Sequence, residues 1–285
     1  MEHQADIWIR RAEGFWLEPL EQYTESLFSE IFLPSHDHSH HRRVWNISRK
    51  LILEVSSHHI PVDYPLVEGA LIAAWFHDTG MARSTGEKHG VIGRTLCREY
   101  FRDHDLVKPE LFGEILDAIN RHDSKEDLIY SGIVKTERPA ILSILSVADD
   151  LEASGTIGIY RYSEIYLQRG IGLRDLGVRV LHNAHIRFRH LSGCQLCAGL
   201  IRDYEKEWKE LIRFFEMYNS QLREKEDPEL VSSGPLGVVN LIRSMGLEGH
   251  VRPEAMAGVI PSAGTDPYIT DYFSRLHDEL EQVRL

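Results

Sequence analysis

The chain has few cysteines and no excess of positive charge. The first shortage bears on the compartment in which the protein works, and the second on the kinds of partner that it can bind. Its 285 residues include three cysteines, Cys97, Cys194 and Cys197. These are too few for a disulfide framework, which favours a reducing compartment. The formal net charge is −12, whereas a protein that binds nucleic acid or an anionic membrane needs a basic face. We therefore expect neither long nucleic acid nor a membrane as a partner.

Long apolar segments are also missing. The opening segment MEHQADIWIRRAEGFW carries charges throughout and has no apolar run of signal-peptide length. No window approaches the roughly eighteen uncharged apolar residues that a membrane span needs. These absences predict a cytoplasmic protein. Neither G-x-S-x-G nor a P-loop occurs, so the usual serine-hydrolase and nucleotide-triphosphatase signatures are absent too.

The alternation typical of half-buried strands is not found, and helical periodicity dominates, which predicts an all-α fold. A first helix is expected over residues 5–33, kinked near Gly14 and Pro19 and ended by Pro34. Asp37 or Ser39 is expected to cap the next helix. Further helices are predicted over these ranges: 70–79, 87–102, 110–122, 138–153, 158–169, 174–222, 236–245 and from about 267.

One segment has the composition of a linker. The stretch REKEDPELVSSGPLG joins a charge run to a Ser/Gly/Pro cluster. This pattern predicts a helical domain over residues 1–222, followed by a linker and a C-terminal helical extension over 223–285. The pair in CQLC, Cys194 and Cys197, is interpreted as small buried thiols on a helix, because a zinc site would need further ligands.

Histidine is abundant, with 16 residues in the chain, and several histidines share a face with apolar residues. His40 precedes Val44 and Ile47 by four and seven positions, which extends the apolar stripe of its helix by one turn. The same spacing predicts an inward-facing ligand near one end of each of five helices. These residues are His40, His77, His89, His122 and Asp149, with Asp78 beside His77.

A single inward histidine is more often a hydrogen-bonded core residue than a metal ligand. Six such residues together need a common partner, and one or two divalent cations would supply it. Imidazoles and carboxylates without thiolate suit Fe, Mn, Co, Ni or Zn better than Mg or Ca. His77 and Asp78 also end the apolar helix ALIAAWF, where the helix dipole favours a cation.

Five motifs then follow one another in order: DHSHHRRVW, AAWFHDTGM, EKHGVIGRTL, ILDAINRHDS and SVADDLEASG. Together, over residues 36 to about 155, they resemble the HD-domain superfamily of metal-dependent phosphohydrolases. The resemblance implies an HD-domain helical bundle. It also implies that one metal is held by His40, His77, Asp78 and Asp149, and a second by His89 and His122 with Asp78 bridging.

The resemblance further implies hydrolysis of a phosphate ester by a metal-activated water, with Asp78, His89 and His122 as catalytic residues. The substrate would be a small phosphorylated compound: a phosphomonoester, a nucleotide or a phosphodiester. Many members carry a lysine three residues after the HD aspartate, where this chain has Met81. The candidates to neutralise phosphate charge instead are Arg43, Lys88, Arg121 and Arg161.

Two alternatives stay open at this point. The same six-ligand array is used by di-iron oxygenases resembling myo-inositol oxygenase, which cleave C–C or C–P bonds with dioxygen, and Met81 favours this alternative. The other is a non-catalytic helical sensor that keeps the metal site to stabilise its fold or as a pocket for a ligand. The sequence also leaves open a homodimer.

Overall fold

The computed structural model describes residues 4–86, 88–124, 138–192, 198–260 and 264–282, and no strand occurs within these ranges. The all-α prediction is confirmed. The α-helices of the described residues are α1 Gln4–Phe28, α2 His38–Ser57, α3 Tyr64–Phe76, α4 His89–Asp103, α5 Phe112–Arg121, α6 Ile141–Glu152, α7 Gly155–Gln168, α8 Leu173–Ser192, α9 Ala198–Arg223, α10 Gly234–Leu241, α11 Pro253–Val259 and α12 Pro267–Gln282.

Several helix ends differ from the predicted ones. Helix α1 runs through Pro19 and ends at Phe28 rather than at residue 33. Its end lies where the Ser29 hydroxyl donates to the Ser26 carbonyl and so offers the backbone an alternative to the next helical bond. A π-helix over Ile242–Glu248 continues α10, and α11 was not predicted. Cys194 and Cys197 lie outside the described residues, whereas Cys97 is a buried free thiol.

The chain divides into two compact units. The first comprises residues 1–152 and 187–203, and the second comprises residues 153–186 and 204–285. These bounds differ from the predicted division after residue 222, because helices on both sides of that point share one apolar core in the second unit. Phe215 and Tyr218 of α9 belong to this core together with Leu236 of α10 and Phe273 of α12.

Helix α3 lies at the centre of the first unit, where it packs against α1, α2, α5 and α6. Every residue from Leu66 to Phe76 except Glu68 is buried, as expected for a helix that is apolar on all sides. Of the two predicted caps of helix α2, Asp37 is the one observed: its carboxylate accepts from the Ser39 backbone N–H. Among the described residues, no helix has the length and apolar character needed to cross a bilayer.

Candidate metal centre

The centre begins where α3 ends. The His77 backbone N–H continues the helix by donating to the Ala73 carbonyl at 2.9 Å. Asp78 then leaves helical geometry, with φ −104° and ψ 6°, and a short 3₁₀ helix follows over Thr79–Ala82. The His77 and Asp78 side chains are both buried. The apolar run therefore delivers an imidazole and a carboxylate to the interior of the first unit.

Each of four buried histidines has an acceptor beside its Nδ1 atom. Nδ1 lies 2.9 Å from the Ala74 carbonyl in His77, 3.0 Å from the Gly86 carbonyl in His89 and 2.8 Å from the Ile119 carbonyl in His122. In His40 it lies 3.3 Å from Glu152 Oε2. A neutral ring that donates through Nδ1 keeps its lone pair on Nε2. The rings of His77, His89 and His122 are therefore oriented as ligands through Nε2, and the His40 ring lies beside the Glu152 carboxylate.

Asp78 stands between these histidines and divides them into two pairs. Its Oδ2 atom lies 3.3 Å from His40 Nε2 and 3.5 Å from His77 Nε2. Its Oδ1 atom lies 3.3 Å from His89 Nε2 and 3.1 Å from His122 Nε2. Each carboxylate oxygen thus faces a different histidine pair, which is the arrangement that a bridging ligand requires.

Two groups of ligand atoms converge in the described residues. The first ligand set is His40, His77, Asp78 and Asp149, and the second ligand set is Asp78, His89 and His122. Asp149 Oδ1 lies 3.9 Å from His40 Nε2 and 4.0 Å from His77 Nε2. Both Asp149 and its neighbour Asp150 accept from Arg187, but among the described residues only Asp149 of the two joins a group of converging ligand atoms.

The distances between the Nε2 atoms within each histidine pair are short enough for one cation to bind both nitrogens. His40 Nε2 and His77 Nε2 are 3.0 Å apart, and His89 Nε2 and His122 Nε2 are 3.4 Å apart. Two lone pairs that face each other at these distances repel, so each pair needs either a proton or a metal cation between its nitrogens. The donors are imidazole nitrogen and carboxylate oxygen, which suits a divalent transition metal. The residues present therefore fit a metal in each set.

Two glycines allow α4 to come close enough for His89 to reach Asp78. A Cβ atom on Gly80 would lie 1.9 Å from the His89 carbonyl oxygen, and one on Gly93 would lie 2.8 Å from the Phe76 carbonyl oxygen. Real Cβ atoms do not approach backbone this closely, so any larger residue would force α4 away from the end of α3. The second ligand set therefore depends on close backbone packing.

The carboxylate of Asp78 sets the protonation of its neighbours. Burial would raise the pKa of Asp78, but the surrounding histidines, His77 first, hold that pKa well below its usual range. Burial lowers the pKa of His77 to about 3, against the partial opposition of Asp78. Burial also acts to lower the pKa of His89, but the hydrogen bond to Asp78 and its charge outweigh burial and raise that pKa to about 9.

Two residues beside the first ligand set were not singled out from the sequence. Glu152 accepts from Arg43 Nε at 2.5 Å and lies next to His40 Nδ1. It follows Asp149 by three positions on the same helix, which is a periodicity signal that would have found it. Arg187 donates to Asp149 Oδ2 at 3.2 Å. No spacing signal links Arg187 to the motifs, because it comes from α8.

The four proposed phosphate-binding cations have different environments. Arg43 is buried and bound to Glu152 and Ser39. Arg121 is partly buried and paired with Asp117 at 3.0 Å. Lys88 is exposed and directly precedes His89. Arg161 is buried in α7 and belongs to the second unit. Their roles toward substrate stay predictions. Met81, at the position of the family's usual lysine, is buried.

A family comparison identifies the region that carries this centre. The model of the HD domain matches residues 38–154, which contain all six ligand candidates. Over these residues the chain is similar to an HD domain. The HD domain binds divalent metals, and its members are mostly metal-dependent phosphohydrolases. Searches of curated proteins and of solved structures found no match to this chain.

Proposed function

We propose that this HD-domain protein hydrolyses a phosphate ester of a small substrate at a centre of two divalent transition-metal ions. One observation carries the proposal: the two oxygens of Asp78 face two different histidine pairs. That arrangement offers ligands to two neighbouring ions, which is the organisation used to displace a leaving group from phosphorus.

When bound, divalent ions supply Lewis acidity, which makes water a nucleophile at neutral pH and offsets the charge of phosphoryl oxygens. The protein's own part is to hold and orient the ligands. The carbonyls of Ala74, Gly86 and Ile119 hold three rings through Nδ1, and the Glu152 carboxylate lies 3.3 Å from Nδ1 of the fourth, His40. Contacts of this kind orient the ring nitrogens that would bind the ions.

The substrate's negative charge requires cations beside the four buried carboxylates Asp78, Asp149, Asp150 and Glu152. Arg43 is engaged by Glu152 and Ser39, which suits it to holding His40 in place through Glu152. Lys88 is exposed at the start of α4, one residue before His89. This position supports Lys88 as the residue that binds a substrate phosphate near the second ligand set. Its ammonium group would act as a point charge, without the planar two-point geometry of a guanidinium.

The test is a hydrolysis assay on protein whose metal content has been measured. Metal-free protein would be reloaded with Mn²⁺, Fe²⁺, Co²⁺ or Zn²⁺ and offered phosphomonoesters, nucleotides and phosphodiesters. The proposal expects about two ions per chain and release of phosphate or of an alcohol from at least one class. Fully loaded protein that hydrolyses none of the three classes would contradict it.

The burial of Met81 keeps an oxygenase as the second candidate. The Met81 thioether is 3% exposed and provides no charge for a phosphate group. The site is therefore compatible with a substrate that needs no cation at this position. The distinguishing measurement is oxygen consumption. Iron-loaded protein that takes up dioxygen only in the presence of substrate, without hydrolysing phosphate esters, would favour the oxygenase.

A further inference from the structure

Arg187 lies near the end of α8, beyond the segment that matches the HD domain, yet it contacts carboxylates of the metal centre. Its Nη1 atom donates to Asp149 Oδ2 at 3.2 Å and to Asp150 Oδ1 at 2.8 Å. Its Nη2 atom lies 3.8 Å from Asp123 Oδ1. Only 14% of the Arg187 side chain is exposed, so the charges of this group interact with little screening by water.

The two oxygens of Asp149 have separate partners. Oδ2 accepts from Arg187, whereas Oδ1 faces the Nε2 atoms of His40 and His77. A carboxylate with one oxygen held in this way cannot turn about its Cβ–Cγ bond without losing a charge-assisted hydrogen bond. Arg187 therefore determines which oxygen of Asp149 is presented to the first ligand set.

Asp150 fixes Arg187 in turn. Its side chain is fully buried, and a buried carboxylate without a cation is strongly unfavourable. The contact with Asp150 therefore keeps the guanidinium in place even when Asp149 binds another cation. Arg187 and Asp150 together form an outer support for one ligand of the first set.

We propose that Arg187 is a positioning residue of the first ligand set and raises its affinity for a divalent ion by orienting Asp149. The inference rests on the metal-binding part of the proposed function. It concerns a residue outside the HD domain, so it also means that the domain's metal centre is completed by a later segment of the chain.

Simple electrostatics predicts the opposite change in metal affinity when Arg187 is removed, which makes the proposal easy to test. A guanidinium close to the site repels an incoming cation, so its removal would tighten metal binding if charge alone mattered. Removal of an oriented outer partner instead weakens metal binding by about 10- to 100-fold. The direction of the change therefore separates a positioning role from a purely electrostatic one.

The experiment is a titration of metal-free protein with Co²⁺, followed by the visible absorption of the bound ion. It uses the full chain carrying His89→Ala, in which only the first ligand set keeps all its members. Arg187→Met should raise the dissociation constant for Co²⁺ by about tenfold or more. Arg187→Lys should raise it less, because lysine keeps a charge and a donor but loses the planar group.

Arg189→Met is the matched control, since Arg189 lies two residues away on α8 and is exposed. It should bind Co²⁺ like its parent. Melting of each metal-free variant shows whether it is folded, and Arg187→Lys decides the question if Arg187→Met is not. Unchanged or tighter Co²⁺ binding in the folded Arg187 variants would overturn the proposal.

The outcome separates this proposal from the proposed function. If the wild-type chain binds Co²⁺ and the Arg187 variants bind it more weakly, positioning holds even when no phosphate ester is hydrolysed. If the first ligand set of the His89→Ala parent binds no Co²⁺ at all, both this proposal and the metal-binding role are overturned. Hydrolysis by all variants with unchanged Co²⁺ affinity overturns the role of Arg187 alone.

Discussion

The first and second ligand sets share Asp78 but are supported in different ways. In the first set, Asp149 accepts from the charged side chain of Arg187, and the Glu152 carboxylate lies 3.3 Å from His40 Nδ1. In the second set, His89 and His122 are held by carbonyls three residues earlier in the chain, those of Gly86 and Ile119. The Ala74 carbonyl holds His77 of the first set in the same local way, so the first set adds charged side chains from other parts of the chain to the local backbone support that both sets share.

The two ligand sets also differ in the protonation of their histidines. Burial keeps His77 of the first set neutral, with a pKa of about 3, whereas Asp78 raises the pKa of His89 in the second set to about 9. At neutral pH without metal, the second set therefore holds a proton on His89 where the first set offers a neutral His77. A metal must displace that proton before it can bind His89.

The largest expected effect is at the shared residue. Asp78→Asn should abolish hydrolysis and remove most bound metal from both sets, because the amide cannot supply two anionic oxygens to two ions. Elemental analysis and the hydrolysis assay measure this result. Asp103→Asn, a change at an exposed carboxylate in α4, is the control. Full metal content in the Asp78 variant would show that Asp78 is not a ligand.

Loss of the second set alone should have a smaller effect. His89→Ala and His122→Ala should each leave about one ion per chain and lower turnover at least about a hundredfold, if both ions act on the substrate. His104→Ala, a change at an exposed histidine that follows α4, should behave like the wild type. Turnover unchanged in both site variants would reduce the functional centre to the first ligand set.

Close packing of α4 can be tested without touching a ligand. Gly80→Ala would bring a Cβ atom against the His89 carbonyl oxygen, which should lower the free energy of unfolding by about 1–3 kcal/mol. It should also weaken metal binding at the second set more than at the first. Denaturant unfolding and metal titration measure the two effects.

The matched control for that change is Gly14→Ala, since nothing lies within 4 Å of a Cβ at Gly14 in α1. An alanine there should stabilise the helix by roughly 0.5–1 kcal/mol. If Gly80→Ala were as well tolerated as Gly14→Ala, the approach of α4 to the end of α3 would not limit the position of His89.

The smallest expected effect is a difference in pH dependence. His89 carries a proton below its pKa of about 9, and metal binding must release it. The affinity of the second set should therefore fall as pH falls below 9, by up to about tenfold per unit. His77, with a pKa of about 3, releases no proton across this range, so it should add no such slope to the first set.

Co²⁺ titrations between pH 6 and 8 would measure this difference in two variants. His89→Ala retains the complete first set, and His40→Ala retains the complete second set. Equal pH slopes in the two variants would contradict the assignment of the proton to His89.

Much of this centre could be predicted from residue spacing, because helix periodicity fixes which side chains share a face. His40 lies on the buried stripe of Val44 and Ile47, and His122 follows Ile115 and Ile119 in the same way. All six of these residues are buried as predicted. The same local reasoning limited the cap to Asp37 or Ser39, since capping involves only neighbouring residues, and the structure has Asp37 at that position.

Helix ends were predicted less well, because they depend on contacts that spacing does not encode. Composition after residue 222 suggested a linker, yet Leu222 and Leu236, on either side of it, lie in one apolar core. Helix α11 was missed because it is short, Pro253–Val259, and too few residues repeat to establish a period.

The sequence by itself determined which residues are ligand candidates and on which helix faces they lie, since both follow from residue type and helical period. Only the tertiary structure decided how Asp78 divides its oxygens between His40 and His77 on one side and His89 and His122 on the other. It also decided that Arg187 reaches Asp149. These contacts join helices far apart in the chain, and their geometry depends on how the helices pack against one another, which local periodicity does not specify.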